Sequence, residues 1–307
     1  MDANGHYGEL MRQVTIVKDR VRGVVHGLSN GLYLHGRPGT SKTYTVNTTL
    51  DMLAVNYTPH SGHLTPIGLF DLLDENRNRI IVLDDVSAIF NQPIALQLLL
   101  SALGNPHNGS KTRDIRYKTA RETRSVPFTG GVICISNLPL DGHHHEVLAA
   151  LKDRVFVINY EPTDEQIIAL IYKIAEDGVE DVAPDKALMV ATFLINECKA
   201  MGIRASVRLF RDKALKDYKL HAAAKCEADW RDLVRSNLKE QLIALKHATT
   251  DLSRSEQSEA ERRMAEEIYR TYQSGKERVE AWMERTGKSQ AAFYRRVAEL
   301  KNAGRLS

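Results

Sequence analysis

The chain has 307 residues, 43% hydrophobic and 26% charged. That balance excludes a collagenous, wholly disordered or disulfide-scaffold protein, and at roughly 150 residues per domain it allows about two domains with a buried core. The net charge of +3 is too mild to imply a nucleic-acid partner by itself, so any such partner has to be read from local charge.

The start, from Met1 to His6, has no basic cluster leading into an apolar stretch, and no apolar run is long enough for a membrane span. Cys134, Cys198 and Cys226 are dispersed with no CxxC pair, as expected of a reduced, cytoplasmic protein without a membrane partner. Short apolar runs at 32–34, 80–83, 132–135 and 155–158 are bounded by glycine or polar residues. They suit strands buried on both faces of a parallel sheet. Helical patterns lie between them, such as the leucine-rich 92–103, so the expected class is α/β with helices on both sides of the sheet.

The first run leads into Gly36-Arg37-Pro38-Gly39-Thr40-Ser41-Lys42-Thr43 and then a helical segment, the context a phosphate-binding P-loop needs. Glycines let backbone N–H groups turn inward around a β-phosphate, and the helix N-terminus adds a favourable dipole. Lys42 would reach the β- and γ-phosphates of ATP, and the Thr43 hydroxyl would ligate Mg²⁺. Ser41 stands where glycine is usual, and a serine fits there only with ordinary backbone dihedrals.

The run at 80–83 ends in Asp84-Asp85, which places Asp84 beside the Mg²⁺ at the carboxyl edge of the sheet. Asp85 stands where a glutamate commonly polarises the attacking water; being one methylene shorter, it makes slow hydrolysis an open alternative. The run at 132–135 ends in Ser136-Asn137, and an asparagine at that tip can hydrogen-bond the water or the γ-phosphate. Beyond Pro162 no convincing strand follows. Thr163-Asp164-Glu165-Gln166 is a capping box, Gly178 a stop, Pro184 opens a second helix ending near Gly202, and Ser206 can cap a third.

This order of P-loop, Leu-Asp-Asp strand, Ser-Asn strand tip, Asp153-Arg154 and helical lid resembles the AAA+ ATPase superfamily over about residues 31–219. The resemblance implies an αβα nucleotide domain (1–160), an all-α lid (161–247) and an oligomer, most often a hexameric ring, with ATP at subunit interfaces. It makes Arg154 the residue reaching a neighbouring subunit's γ-phosphate, and Arg208 the lid arginine of sensor 2, with Arg204 and Arg211 competing. Both roles suit a guanidinium, which can stabilise charge on a transferred phosphoryl.

Lys111, Arg113, Arg116, Lys118, Arg121 and Arg124 crowd a segment with only Asp114 and Glu122 against them. It sits where DNA-translocating AAA+ proteins carry a hairpin before sensor 1, so Arg113, Arg116, Lys118 and Arg121 are candidates to track phosphates. The alternative is an edge hairpin whose charges prevent aggregation. Residues 248–307 read as a linker or solvated helix (249–263) followed by two helices around Gly287, a helix-turn-helix pattern. Arg295 and Arg296 would meet DNA there, unless the pair packs on the lid or a neighbour. His143, His144 and His145 cluster without ligands at metal-binding spacing, so a solvated loop is expected.

The module order is similar to branch-migration motors and initiator ATPases, and to phage or mobile-element proteins. It implies an ATP-hydrolysing motor on DNA with a replication, recombination or transposition partner. A slowly hydrolysing, ATP-switched DNA-binding scaffold or helicase loader and, less favoured, a protein remodeller are the alternatives.

Overall fold

A computed structural model describes residues 3–105, 110–118, 122–140, 145–179, 181–272, 274–286, 288–302 and 306. In chain order the elements begin with α1 (Ala3–Val25), β1 (Gly31–His35), α2 (Lys42–Met52), β2 (Tyr57–Ser61), α3 (Pro66–Glu75) and β3 (Ile80–Asp84). There follow α4 (Pro93–Leu103), a hairpin of β4 (Arg113–Lys118) and β5 (Thr123–Phe128), β6 (Gly131–Ser136), α5 (His145–Lys152) and β7 (Phe156–Asn159).

The sheet is parallel throughout, in the order β2-β3-β6-β1-β7. The central β6 is buried at every position, whereas the edge strand β7 alternates between half-buried and exposed residues. The edge strand β2 escapes a hydrophobic reading of the sequence because Tyr57-Thr58-Pro59-His60-Ser61 is mostly polar, and its proline is tolerated at an edge. Alternate residues serve two cores. Tyr33, Ile81, Leu83, Val132 and Cys134 face α3, α4 and α5, and Leu32, Leu34, Val82, Ile133 and Ile135 face α1 and α2. Helix α1, which carries no motif, buries Leu10, Val17, Val21 and Val24 at helical spacing in the second of these cores.

The lid helices follow as α6 (Asp164–Glu176), α7 (Pro184–Met201) and α8 (Leu215–Ala222). Thr163 and Gln166 form the expected reciprocal capping box, and Gly202 ends α7 at φ 65°. Ser206 Oγ accepts from the Leu209 N–H at 3.1 Å, and the helix it starts passes through a π-helical turn, Leu209–Ala214, before α8. Helices α9 (Trp230–Thr271), α10 (Gly275–Thr286) and α11 (Gln290–Asn302) complete the chain.

The compact units are Met1–Val234, which contains both sheet and lid helices, and Arg235–Ser307. Residues 249–263, expected as a linker or a solvated helix, lie within the helix α9. In the second unit the end of α9 joins α10 and α11 around Ala265, Ile268, Trp282, Phe293, Val297 and Leu300. Among the described residues no helix is long and apolar enough to cross a membrane.

Candidate active site

The loop between β1 and α2 turns through two glycines at positive φ, Gly36 (151°) and Gly39 (76°). Neither tolerates a side chain: a Cβ would lie 2.0 Å from Tyr160 O at Gly36 and 2.9 Å from Ser206 Cβ at Gly39. Ser41 departs from expectation, for it occupies the left-handed region (φ 68°, ψ 23°) although it carries a side chain. Its backbone takes the conformation a glycine would take, because the loop has to deliver Lys42 and Thr43 to the first turn of α2.

Lys42 is buried, and its Nζ donates to Gly36 O (2.7 Å), Arg37 O (2.8 Å) and Asn137 Oδ1 (3.1 Å). Burial pulls its pKa below the ordinary value, and the charges of Asp85, Glu161 and Asp84 oppose that. The Thr43 hydroxyl donates to Asp84 Oδ2 at 2.8 Å. Burial raises the Asp84 carboxyl, while the bond from Thr43 works against the rise. Asn137 closes the network: it accepts from Lys42 and donates from Nδ2 to Asp85 Oδ1 at 3.0 Å. Asp85 is itself left-handed (φ 53°), and its N–H donates to Ile135 O at 3.1 Å. The tips of β1, β3 and β6 thus bring together Lys42, Thr43, Asp84, Asp85 and Asn137, as the sequence motifs predict.

These groups, with Pro38, Gly39, Thr40, Ser41 and Arg208, line a cavity of about 60 Å³. Gly39, Ser41 and Arg208 also border a second, of about 900 Å³, whose size suits a small-molecule ligand. Its walls include Tyr7, Met11 and Val14 of α1, Tyr160, and Leu170 and Ile174 of α6. The sequence motifs name none of these residues. Their signals are the apolar spacing of α1 and that of Leu170 and Ile174 along α6, which read equally well as core. The Tyr160 hydroxyl is buried with no hydrogen-bond partner, and burial lifts its pKa to about 12. Of the three lid arginines, Arg208 borders both cavities and Arg211 only the larger one. Arg204 is turned to Asp164, 3.5 Å away, where Arg37 also forms an ion pair.

The residues fit Mg²⁺ and a triphosphate. A threonine hydroxyl and a carboxylate in contact form an oxygen donor set suited to a hard cation, and beside them a buried ammonium is bonded only to neutral acceptors.

Arg154 lies at the other end of the sheet. It is exposed, its Nη1 donates to Ala150 O at 2.5 Å, and it borders a cavity of about 510 Å³ with Ser29, Asn30, Lys111, Arg113 and Phe156. Asn30 precedes β1, whereas the P-loop follows it, so Arg154 does not meet its own chain's phosphate site.

The basic hairpin differs from its sequence reading. Arg113 is only 5% exposed and points inward: Nε donates to Phe128 O (3.4 Å), one Nη donates to Gly130 O, and the guanidinium lies 5.1 Å from the Phe128 ring. Burial pulls its pKa down to about 10. Arg113 therefore drops out as a phosphate-tracking residue; strand alternation puts it on the core side with Ile115. Arg124 lies over Phe70 and pairs with Asp71 at 2.8 Å. Arg116 and Lys118 face outward, although Arg116 meets Asp114 at 2.8 Å. Arg121 lies outside the described residues.

In the second unit Arg296 is likewise corrected. Its side chain is 12% exposed, and it donates to Glu261 (2.9 Å) and Glu299 (2.9 Å). Arg295 and Tyr294 are exposed on the neighbouring face of α11. Gly287, His143 and His144 lie outside the described residues, and among those described no cluster of metal-ligating side chains occurs.

Strand order, the glycine-bearing loop after β1, the carboxylate and asparagine strand tips and the helices that follow the sheet together define an α/β fold with one polar site at the carboxyl edge of a parallel sheet. No protein-family model matches the sequence, and no curated protein does. Among solved structures, the chain is similar to one variant of RuvB from Thermotoga maritima, at 16% identity over 92% of this chain and 83% of that one, with a TM-score of 0.43. Another variant of the same protein is 15% identical over 94% and 84%, also at 0.43. A third RuvB structure, described as a Holliday junction branch migration motor, is 13% identical over 64% of each chain at 0.38.

Proposed function

We propose that the chain is an ATPase that hydrolyses ATP with Mg²⁺ and acts on DNA as a ring or filament of identical subunits. The observation that carries this reading is the single network Lys42–Asn137–Asp85 beside Thr43–Asp84, opening onto a cleft large enough for a nucleoside. Mg²⁺, held through Thr43 and Asp84, would neutralise charge on the phosphates. Lys42 exchanges its carbonyl partners for phosphate oxygens, and Asn137 then holds Asp85 toward the water it orients. Arg208 covers the cavity mouth from the lid. Arg154, at the far end of the sheet, completes the site of a second copy. That arrangement requires an oligomer, and a hexamer is the number we favour.

DNA contact then rests on Arg116 and Lys118 of the hairpin, with Arg121, and on Arg295 in a helix-turn-helix formed by α10 and α11. Recombination or replication, in a cellular or phage setting, is the matching role. One observation favours the slower, ATP-switched alternative: Asp85 is shorter than the usual glutamate and is held in a left-handed turn. Steady-state ATPase measured without polymer, with single-stranded DNA and with duplex DNA at two salt concentrations separates these. Stimulation that fades with salt supports the motor, a flat slow rate with ATP-dependent DNA binding supports the switch, and flat turnover without DNA binding rejects both.

A further inference from the structure

An N-cap serine ordinarily turns its hydroxyl back to accept a hydrogen bond from the first turn of its own helix. Ser41 is the N-cap of α2 and makes no such bond, because its backbone is left-handed. That conformation is unfavourable for any residue with a Cβ and would be relieved by glycine. The side chain also stands at a particular place. Of the residues bordering both cavities, Gly39 has no side chain and Arg208 comes from the lid. Ser41 is thus the P-loop side chain at the passage between the phosphate cavity and the wide cleft, where a nucleotide's phosphate chain has to cross.

We propose that the Ser41 hydroxyl is a phosphate ligand, donating to an oxygen of the α- or β-phosphate as the chain passes from one cavity to the other. This rests on the nucleotide reading above. The left-handed turn leaves the hydroxyl free of capping at a residue that borders the passage, so the strain at this position is offset by a ligand contact a glycine could not make. Serine here is a specificity device for the phosphate chain in addition to the backbone N–H groups, and it acts on ADP and ATP alike.

The test measures binding of ADP and of ATPγS, each with Mg²⁺, by titration calorimetry on the full chain and on Ser41→Ala and Ser41→Gly. Thermal unfolding of all three is recorded without nucleotide. Loss of one hydrogen bond to a charged group should weaken both nucleotides about tenfold in both variants. Ser41→Gly should melt about 2–4 °C above wild type, and Ser41→Ala should not. Nucleotide affinity unchanged in both variants overturns the assignment. So does an affinity loss in Ser41→Ala that Ser41→Gly does not share, since the alanine methyl would then be responsible. A wild-type chain that binds neither nucleotide overturns the nucleotide reading instead, which keeps the two failures apart.

Discussion

Cations at the carboxyl end of the sheet and cations in the hairpin and the second unit are held in different ways. Lys42 is bonded to two backbone carbonyls and one amide oxygen, all neutral acceptors. A phosphate, being charged, displaces such partners readily. Arg296 is held by two carboxylates with little of its side chain exposed, and Arg113 lies on the core side of β4 against two carbonyls and a ring. A guanidinium already matched by carboxylates gains little from a phosphate, and Arg113 has carbonyl partners like those of Lys42 but stands on the face of β4 opposite the exposed Arg116. The partner a cation has and the strand face it occupies, more than its density along the sequence, decide which ligand it can serve.

The largest effect expected from breaking this contrast is at Arg154. On the proposed reading, in which the guanidinium acts on another copy's phosphates, Arg154→Ala should cut turnover about 10³-fold while leaving nucleotide affinity close to wild type. Lys42→Ala should lose both nucleotide binding and turnover. Mixing the two variants is the decisive measurement. Some interfaces would then pair an intact P-loop with an intact Arg154, and ATPase activity should partly return. A mixture as inactive as its components would mean that Arg154 does not act across an interface.

Arg113 sharpens the other side of the comparison. Arg113→Ala removes hydrogen bonds to Phe128 O and Gly130 O and the packing against the Phe128 ring. It should cost about 2 kcal/mol of stability, read from denaturant unfolding. DNA affinity measured well below the unfolding transition should be unchanged. An affinity loss at full foldedness would restore Arg113 to the DNA surface.

Outward-facing Arg116 and Lys118 should behave in the opposite manner. The double variant Arg116→Ala with Lys118→Ala should leave unfolding nearly unaltered. It should reduce the slope of log affinity against log salt by about 0.9 for each DNA phosphate that is no longer neutralised. Because Asp114 already meets Arg116 at 2.8 Å, the change should come mainly from Lys118, and a DNA affinity with the wild-type salt slope would remove the hairpin from the interface.

Most of the proposed phosphate site is legible in the sequence because its residues sit at or beside strand tips, and a parallel sheet places neighbouring tips side by side. Lys42, Asp84, Asp85 and Asn137 needed no knowledge of side-chain direction to be brought together. The hairpin is less legible, since period-two alternation assigns Arg113 and Arg116 to opposite faces only once the strand register is known. Arg296 is lost for a similar reason: Glu261, its partner, lies 35 positions away on α9. The apolar wall from α1 is invisible as a site because Tyr7, Met11 and Val14 continue the stripe that packs its core. Ser41 could be located but not interpreted, as its dihedrals follow from the loop as a whole.

The smallest effect concerns Asp84. Burial raises its carboxyl in the folded chain above the unfolded value, against the bond from Thr43. For a group raised in this way, the stabilising contribution is fully present below the unfolded carboxylate pKa and is lost as pH rises through the folded one. Without nucleotide, therefore, ionising Asp84 costs stability through the mildly acidic range and at neutral pH. Asp84→Asn removes that charge and can keep the Thr43 bond through its amide oxygen. Its nucleotide-free melting temperature should rise slightly at neutral pH and match wild type near pH 3, where both side chains are uncharged. With Mg²⁺ and ATPγS the order should reverse, since the carboxylate is what the cation needs. A variant less stable than wild type at neutral pH without nucleotide would show that the Asp84 charge supports the fold as well as the ligand.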